Sequence, residues 1–149
     1  MSLSPNQDQL LILLKRVALE AGERGRALTA LVGELSACKL LNLVWQPSTG
    51  FDAIGPNGER FQMKSRKSWT TEEVNPRGRM GRFGKKGEYN FDKGILVELN
   101  ATFDVSRIWQ CDKEQVELVE SKEAKGRGLH VYTFQQAATE VYPRERKKS

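Results

Sequence analysis

The residues able to do chemistry stand close together in this chain. Asp52 is followed ten residues later by Gln62, then Met63 and Lys64, and Glu34 precedes them on a largely apolar stretch. Carboxylate and carbonyl oxygens are hard donors of the kind that hold Mg²⁺. A lysine beside carboxylates keeps its proton and can still orient a water molecule. From position 27 to 45 the only charged side chains are Glu34 and Lys39. An isolated acid in apolar surroundings needs a cation or a metal beside it, or it must reach solvent. Taken singly, Asp52 also reads as a polar strand-end residue, and Gln62 and Lys64 as the solvent face of an ordinary hairpin. Composition excludes multi-histidine metal sites. His130 is the one histidine, and Cys38 and Cys111 are too few for a disulfide framework or a four-thiolate zinc site.

A hairpin and a helix must position these residues. Gly55-Pro56-Asn57-Gly58-Glu59 separates two β-compatible stretches, 51–54 and 60–66. Pro56 suits the second position of a type I turn, Asn57 the third, and Gly58 the left-handed residue of a bulge. A three-residue loop pairs Gly55 with Glu59 and sets Asp52 opposite Gln62. A two-residue loop would set Asp52 opposite Met63 and turn it away. In the favoured register Asp52, Gln62 and, diagonally, Lys64 share one face, while Phe61 and Met63 take the other. Upstream, Leu10, Leu11, Leu14, Val17, Ala18 and Ala21 predict a helix over 6–21. A second helix over about 26–41 carries an apolar stripe of Leu28, Leu31, Val32, Leu35 and Cys38, with Glu34 projecting roughly 100° from its centre. A short strand over 42–46 follows, broken at 47–50. Downstream, Ile95, Leu96, Val97 and Leu99 predict a buried strand, and 105–110 another. Asp112 can cap a helix through Val119, and Thr133 can cap a last helix ending before Pro143.

At 149 residues the chain suits a single domain over 1–149. Its net charge of +5 is unevenly spread. Nine basic residues lie between positions 60 and 86, against Glu72 and Glu73 alone, and the tail 143–149 is basic too. The body of the chain is therefore slightly acidic. A concentrated basic strip is what a polyanionic partner requires, because phosphate neutralisation dominates nucleic-acid affinity; a solvated loop without a partner is the alternative. Over 67–90 no apolar period survives, and glycines alternate with basic residues, so this stretch reads as a long flexible loop. Trp69, Phe83, Tyr89 and Phe91 in or beside it either stack on bases or anchor it to the core. No apolar run approaches a bilayer span and no basic leader precedes 10–14. The expectation is a soluble, reduced, cytoplasmic domain without membrane contact.

The segments Val32-Gly33-Glu34-Leu35, Gly50-Phe51-Asp52-Ala53-Ile54 and Arg60-Phe61-Gln62-Met63-Lys64-Ser65-Arg66 together resemble the PD-(D/E)xK nuclease superfamily, the restriction-endonuclease-like fold. The likeness is to the variant with glutamine in place of the second acid, as in Mrr-type restriction enzymes. The chain is also similar to small uncharacterised bacterial proteins carrying a Gly-Tyr-Asp-Ala…Gln-Ile-Lys pattern. The motifs cover roughly 25–66, and 91–119 matches in pattern only. The resemblance implies an α/β fold with a restriction-endonuclease-like core, a central mixed β-sheet of about five strands flanked by helices. It implies that Asp52 binds a divalent cation, Mg²⁺ or Mn²⁺, that Gln62 offers its amide oxygen with the Met63 carbonyl nearby, and that Glu34 reaches the same site. Lys64 would position or activate the attacking water and stabilise charge developing on the phosphate. Phe51 stands where proline is common, and Gln62 removes one negative charge from the site.

The function expected is that of a metal-dependent DNA endonuclease, a hydrolase of restriction or repair type. Arg66, Lys67, Arg77, Arg79, Arg82, Lys85 and Lys86 would clamp the phosphates. A homodimer is the assembly the resemblance implies. Two other classes compete: a catalytically inactive nucleic-acid-binding module on the same fold, and a protein-interaction domain whose basic loop meets an acidic partner.

Overall fold

The computed structural model describes residues 3–21, 28–68, 77–84, 87–124 and 127–143. The first helix, α1 (Pro5–Ala21), begins where the sequence offers a reciprocal cap. Ser4 Oγ accepts the Gln7 amide at 3.1 Å, and Gln7 Oε1 accepts the Ser4 amide at 3.0 Å, satisfying two helix-end donors. Pro5 follows at the first helical position, where its missing N–H costs nothing. The second helix, α2 (Thr29–Leu41), ends on Asn42 in the left-handed conformation at φ 57°. Its predicted stripe is buried at Val32, Leu35 and Cys38, with Gly33 and Ala37 added, whereas Leu31 is 38% exposed.

Six strands follow: β1 (Val44–Ser48), β2 (Phe51–Ile54), β3 (Arg60–Lys67), β4 (Lys93–Leu99), β5 (Val105–Asp112) and, after two helices, β6 (Thr139–Tyr142). The helices between are α3 (Lys113–Ser121) and α4 (Val131–Ala137). The strands lie in one sheet in chain order, and only the β3–β4 pair is parallel. The molecule is thus α/β with a mixed, open six-stranded sheet.

Each face of the sheet carries its own core. On one, α1 and α2 cover Ala53, Phe61, Met63, Ile95, Val97 and Ile108. On the other, Leu96 and Cys111 meet α3, α4 and part of the β3–β4 crossover through Val116, Phe134, Met80, Phe83 and Phe91. Strand β4 is buried from Gly94 to Leu99, as a strand covered on both faces must be. That burial includes Glu98, whose Oε2 accepts hydrogen bonds from Trp109 Nε1 and Gln135 Nε2.

Several sequence expectations need correction. The sheet has six strands rather than about five, because the last predicted helix stops at Ala137 and 139–142 pairs with β5 instead. Its cap is His130, not Thr133, and His130 makes no side-chain capping bond. Asp112 sits at the N-cap of α3 but also makes no such bond, since its carboxylate pairs with Lys93 at 2.6 Å across the β4–β5 ladder. Strand β1 runs on through Pro47 to Ser48, which an edge strand permits. Among the described residues no helix is long and apolar enough to cross a membrane.

Candidate functional site

The loop between β2 and β3 takes the conformation its residues favour. Gly58 donates to Gly55 O at 3.0 Å across Pro56 and Asn57, Gly55 donates to Glu59 O at 2.8 Å, and Gly58 has φ +80°. The ladder pairs Ile54 with Arg60 and Ala53 with Phe61. One step further Asp52 stands level with Gln62, and the paired residues end. There the Asp52 carboxylate accepts the Met63 amide through Oδ2 at 2.8 Å. In a strand the amide and carbonyl of one residue point to the same side, so the Met63 carbonyl is directed to the same gap. Ala53, Phe61 and Met63 join the core under α2. Asp52 and Gln62 instead line a cavity of about 380 Å³. Lys64 lies further along the same side of β3, under the crossover: a Cβ on Gly81 would be 3.6 Å from its Nζ.

Helix α2 reaches this gap from the other layer. A Cβ on Gly33 would fall 1.9 Å from Ser65 Oγ of β3, so only glycine allows helix and strand to approach so closely. The next residue is Glu34, half-buried, whose Oε1 accepts from Trp45 Nε1 at 3.1 Å. Burial raises the Glu34 carboxyl above its usual pKa, and the Asp52 charge raises it further; the Trp45 hydrogen bond and the Lys64 ammonium oppose this. Glu34, Asp52 and Lys64 therefore act on one another electrostatically. One helical turn on, burial and the charges of Glu34 and Asp52 push the Cys38 thiol up to about 12, which keeps it an inert core residue.

The donor set fits a hard divalent cation in type: two carboxylates, an amide oxygen and a strand carbonyl. The Asp52 charge disfavours a charged Glu34 and the Lys64 ammonium favours it, so positive charge is favourable near these residues. Among the described residues no group of three or more His, Cys, Asp or Glu side chains is disposed to hold a metal.

The expected phosphate contacts divide. Lys85 and Lys86 lie outside the described residues, as does Trp69. Arg66, Arg79 and Arg82 are turned into the fold. Arg66 Nη1 donates to Arg79 O at 2.5 Å, and its Nε is buried without an acceptor among the described residues. Arg79 Nη1 donates to Gly128 O at 2.5 Å and to Glu123 at 3.0 Å. Arg82 donates to Arg127 O at 2.7 Å and Glu120 O at 3.1 Å. The Lys67 ammonium stands 4.6 Å from the centre of the Phe103 ring on the α1–α2 side. Arg77 lines a separate cavity with His130, Tyr132 and Thr133. Of the aromatic residues, Phe83 and Phe91 are buried and Tyr89 donates to Glu120 at 2.8 Å, so these three anchor the crossover.

Sequence reasoning missed Trp45, Glu88 and Asn90. Trp45 lies beside Ala53 in the β1–β2 ladder, and its indole N–H, which must find an acceptor when covered, was the available signal. Glu88 and Asn90 line the Asp52–Gln62 cavity from the crossover, and nothing in their spacing could have announced that. Comparison with known protein families and with curated proteins finds no match for the chain.

Proposed function

We propose that this chain is a metal-dependent DNA endonuclease of restriction or repair type, built on a restriction-endonuclease-like core. The observation that carries the reading is the gap between β2 and β3, where Asp52 takes the Met63 amide and lines one cavity with Gln62. The mixed sheet with helices on both faces agrees with that core.

Asp52, Glu34, Gln62 and the Met63 carbonyl would hold Mg²⁺ or Mn²⁺. The bound ion supplies Lewis acidity at the phosphate and lowers the pKa of a coordinated water. Asp52 is fixed for this by its bond to Met63, and Glu34 by its bond to Trp45. Lys64 orients the attacking water and balances charge developing on the phosphate oxygens.

The test is plasmid and branched DNA incubated with the purified protein in Mg²⁺, Mn²⁺ or EDTA. Cleavage is expected with metal and not in EDTA, falling by about 10²–10⁴ in Asp52→Asn and in Lys64→Ala. Mn²⁺ should raise the thermal midpoint of the wild type and not that of Asp52→Asn. Absence of metal-dependent cleavage rejects the proposal. A second reading, a non-catalytic nucleic-acid-binding module, is favoured by the glutamine at position 62 and the missing third acid. It predicts salt-dependent DNA binding that survives EDTA without cleavage.

A further inference from the structure

The floor of the cavity, Asp52 and Gln62, lies between two walls. One is the β1–β2 turn at Thr49 and Gly50, and the other is the crossover at Phe83, Glu88 and Asn90. The walls meet along one side: Gly50, at φ +88°, would bring a Cβ within 2.7 Å of the Asn90 Cβ. The cleft is partly open to solvent, and its volume, about 380 Å³, is enough to admit a small organic group. It exceeds what a phosphate group alone would fill. Its polar lining offers donors and acceptors together, from the Gln62 and Asn90 amides, the Thr49 hydroxyl and the Glu88 carboxylate. Such groups match the hydrogen-bonding edge of a base, and that edge is open only in a nucleotide that is not paired. A continuous duplex would instead be gripped from outside by cations along its backbones. Arg66, Arg79 and Arg82, which adjoin the site in sequence, are engaged with carbonyls and carboxylates of the fold itself.

We propose that the cavity takes an unpaired nucleotide, so that the substrate is a single-stranded DNA segment or overhang rather than continuous duplex, and that buried Glu120 fixes the wall that makes this selection. The inference rests on the nuclease reading above and names its substrate class. Glu120 is fully buried at the end of α3. Its carboxylate accepts the Phe83 amide at 2.7 Å, the Gly84 amide at 3.2 Å and the Tyr89 hydroxyl at 2.8 Å. One carboxylate thereby holds the crossover on both sides of the 85–86 dipeptide. Among the described residues its carboxylate bonds the cleft-lining Phe83 and lies 4.0 Å from Arg82 Nε, and it acts as a positioning residue. A glutamine there offers an N–H₂ to donors already facing it, so the wall loses part of its support without any change in the floor.

The test uses the full chain and one DNA sequence presented as single strand, as blunt duplex and as duplex with an overhang. Binding is followed by fluorescence anisotropy in EDTA and cleavage in Mn²⁺. Single strand and overhang are expected to bind and react at least about tenfold better than blunt duplex, since a duplex must first unpair. In Glu120→Gln that ratio should move toward one. Tyr89→Phe, which removes one donor, should move it less, and it carries the test if Glu120→Gln does not fold. Equal handling of blunt duplex and single strand by the wild type overturns the inference and leaves the nuclease reading standing. An unchanged ratio in the variants removes Glu120 from it. Neither binding nor cleavage of any of the three DNAs overturns both.

Discussion

Burial and the neighbouring Asp52 disfavour the charged form of Glu34. Its pKa in the folded chain is raised, so the folded state binds this proton more readily than the unfolded state does. The resulting stabilisation is complete below the unfolded value near 4.5 and is lost as pH rises through the folded value. Glu34→Gln removes the penalty while keeping an oxygen for Trp45. The variant should therefore melt a few degrees above the wild type at pH 7–8, and the two curves should converge below about pH 4. Melting curves by circular dichroism across that range would check it, and a variant less stable at pH 7 would refute it. A side chain that lowers stability at working pH is a recurrent mark of a functional site. The residue was legible in the sequence as an isolated acid among apolar neighbours. That Trp45 would hold it was not, because the helix's rotation and approach are set by packing across the layers.

The β2–β3 hairpin and the α2–β3 contact determine whether those residues meet. The hairpin was legible in full: Pro-Asn-Gly selects the three-residue loop, and the loop fixes the register. The helix contact was legible only as an unremarkable Gly33 next to Glu34. Gly33→Ala places a methyl group where Ser65 Oγ lies, so helix and strand must separate. A loss of about 1–3 kcal/mol is expected, read from urea denaturation, with most of it recovered when Ser65→Gly is added. Additive losses in the double variant would show that the two residues do not share this contact. The elements misjudged, a last helix drawn through 139–142 and a helix cap assigned to Thr133, lie where short segments have weak local preference. There an open edge of β5 decided the outcome.

At the scale of the molecule, two buried acids, Glu98 and Glu120, stand on the face of the sheet opposite α1 and α2. Glu98 binds Trp109 and Gln135, while Glu120 and the carbonyls nearby organise the β3–β4 crossover. The sequence concentrates its basic charge over 60–86. The described part of that strip nonetheless directs three guanidinium groups inward. Arg82→Ala should accordingly lower stability by about 1–3 kcal/mol, because it strips hydrogen bonds from Arg127 O and Glu120 O. The slope of DNA affinity against log salt should stay as in the wild type, whereas loss of a direct phosphate contact would reduce it by about one. Paired denaturation and salt-titration measurements separate the two.

The sequence by itself determined the α/β pattern, the hairpin register, the shared face of Asp52 and Gln62, and the concentration of basic charge. All of these follow from local rules: turn geometry, strand alternation and composition. Only the tertiary structure decided that Trp45 holds Glu34, that Glu88 and Asn90 line the cavity, and that Arg66, Arg79 and Arg82 turn inward. These depend on contacts between segments far apart in the chain. Their partners are chosen by how two layers pack on one sheet, and residue spacing carries no information about that choice.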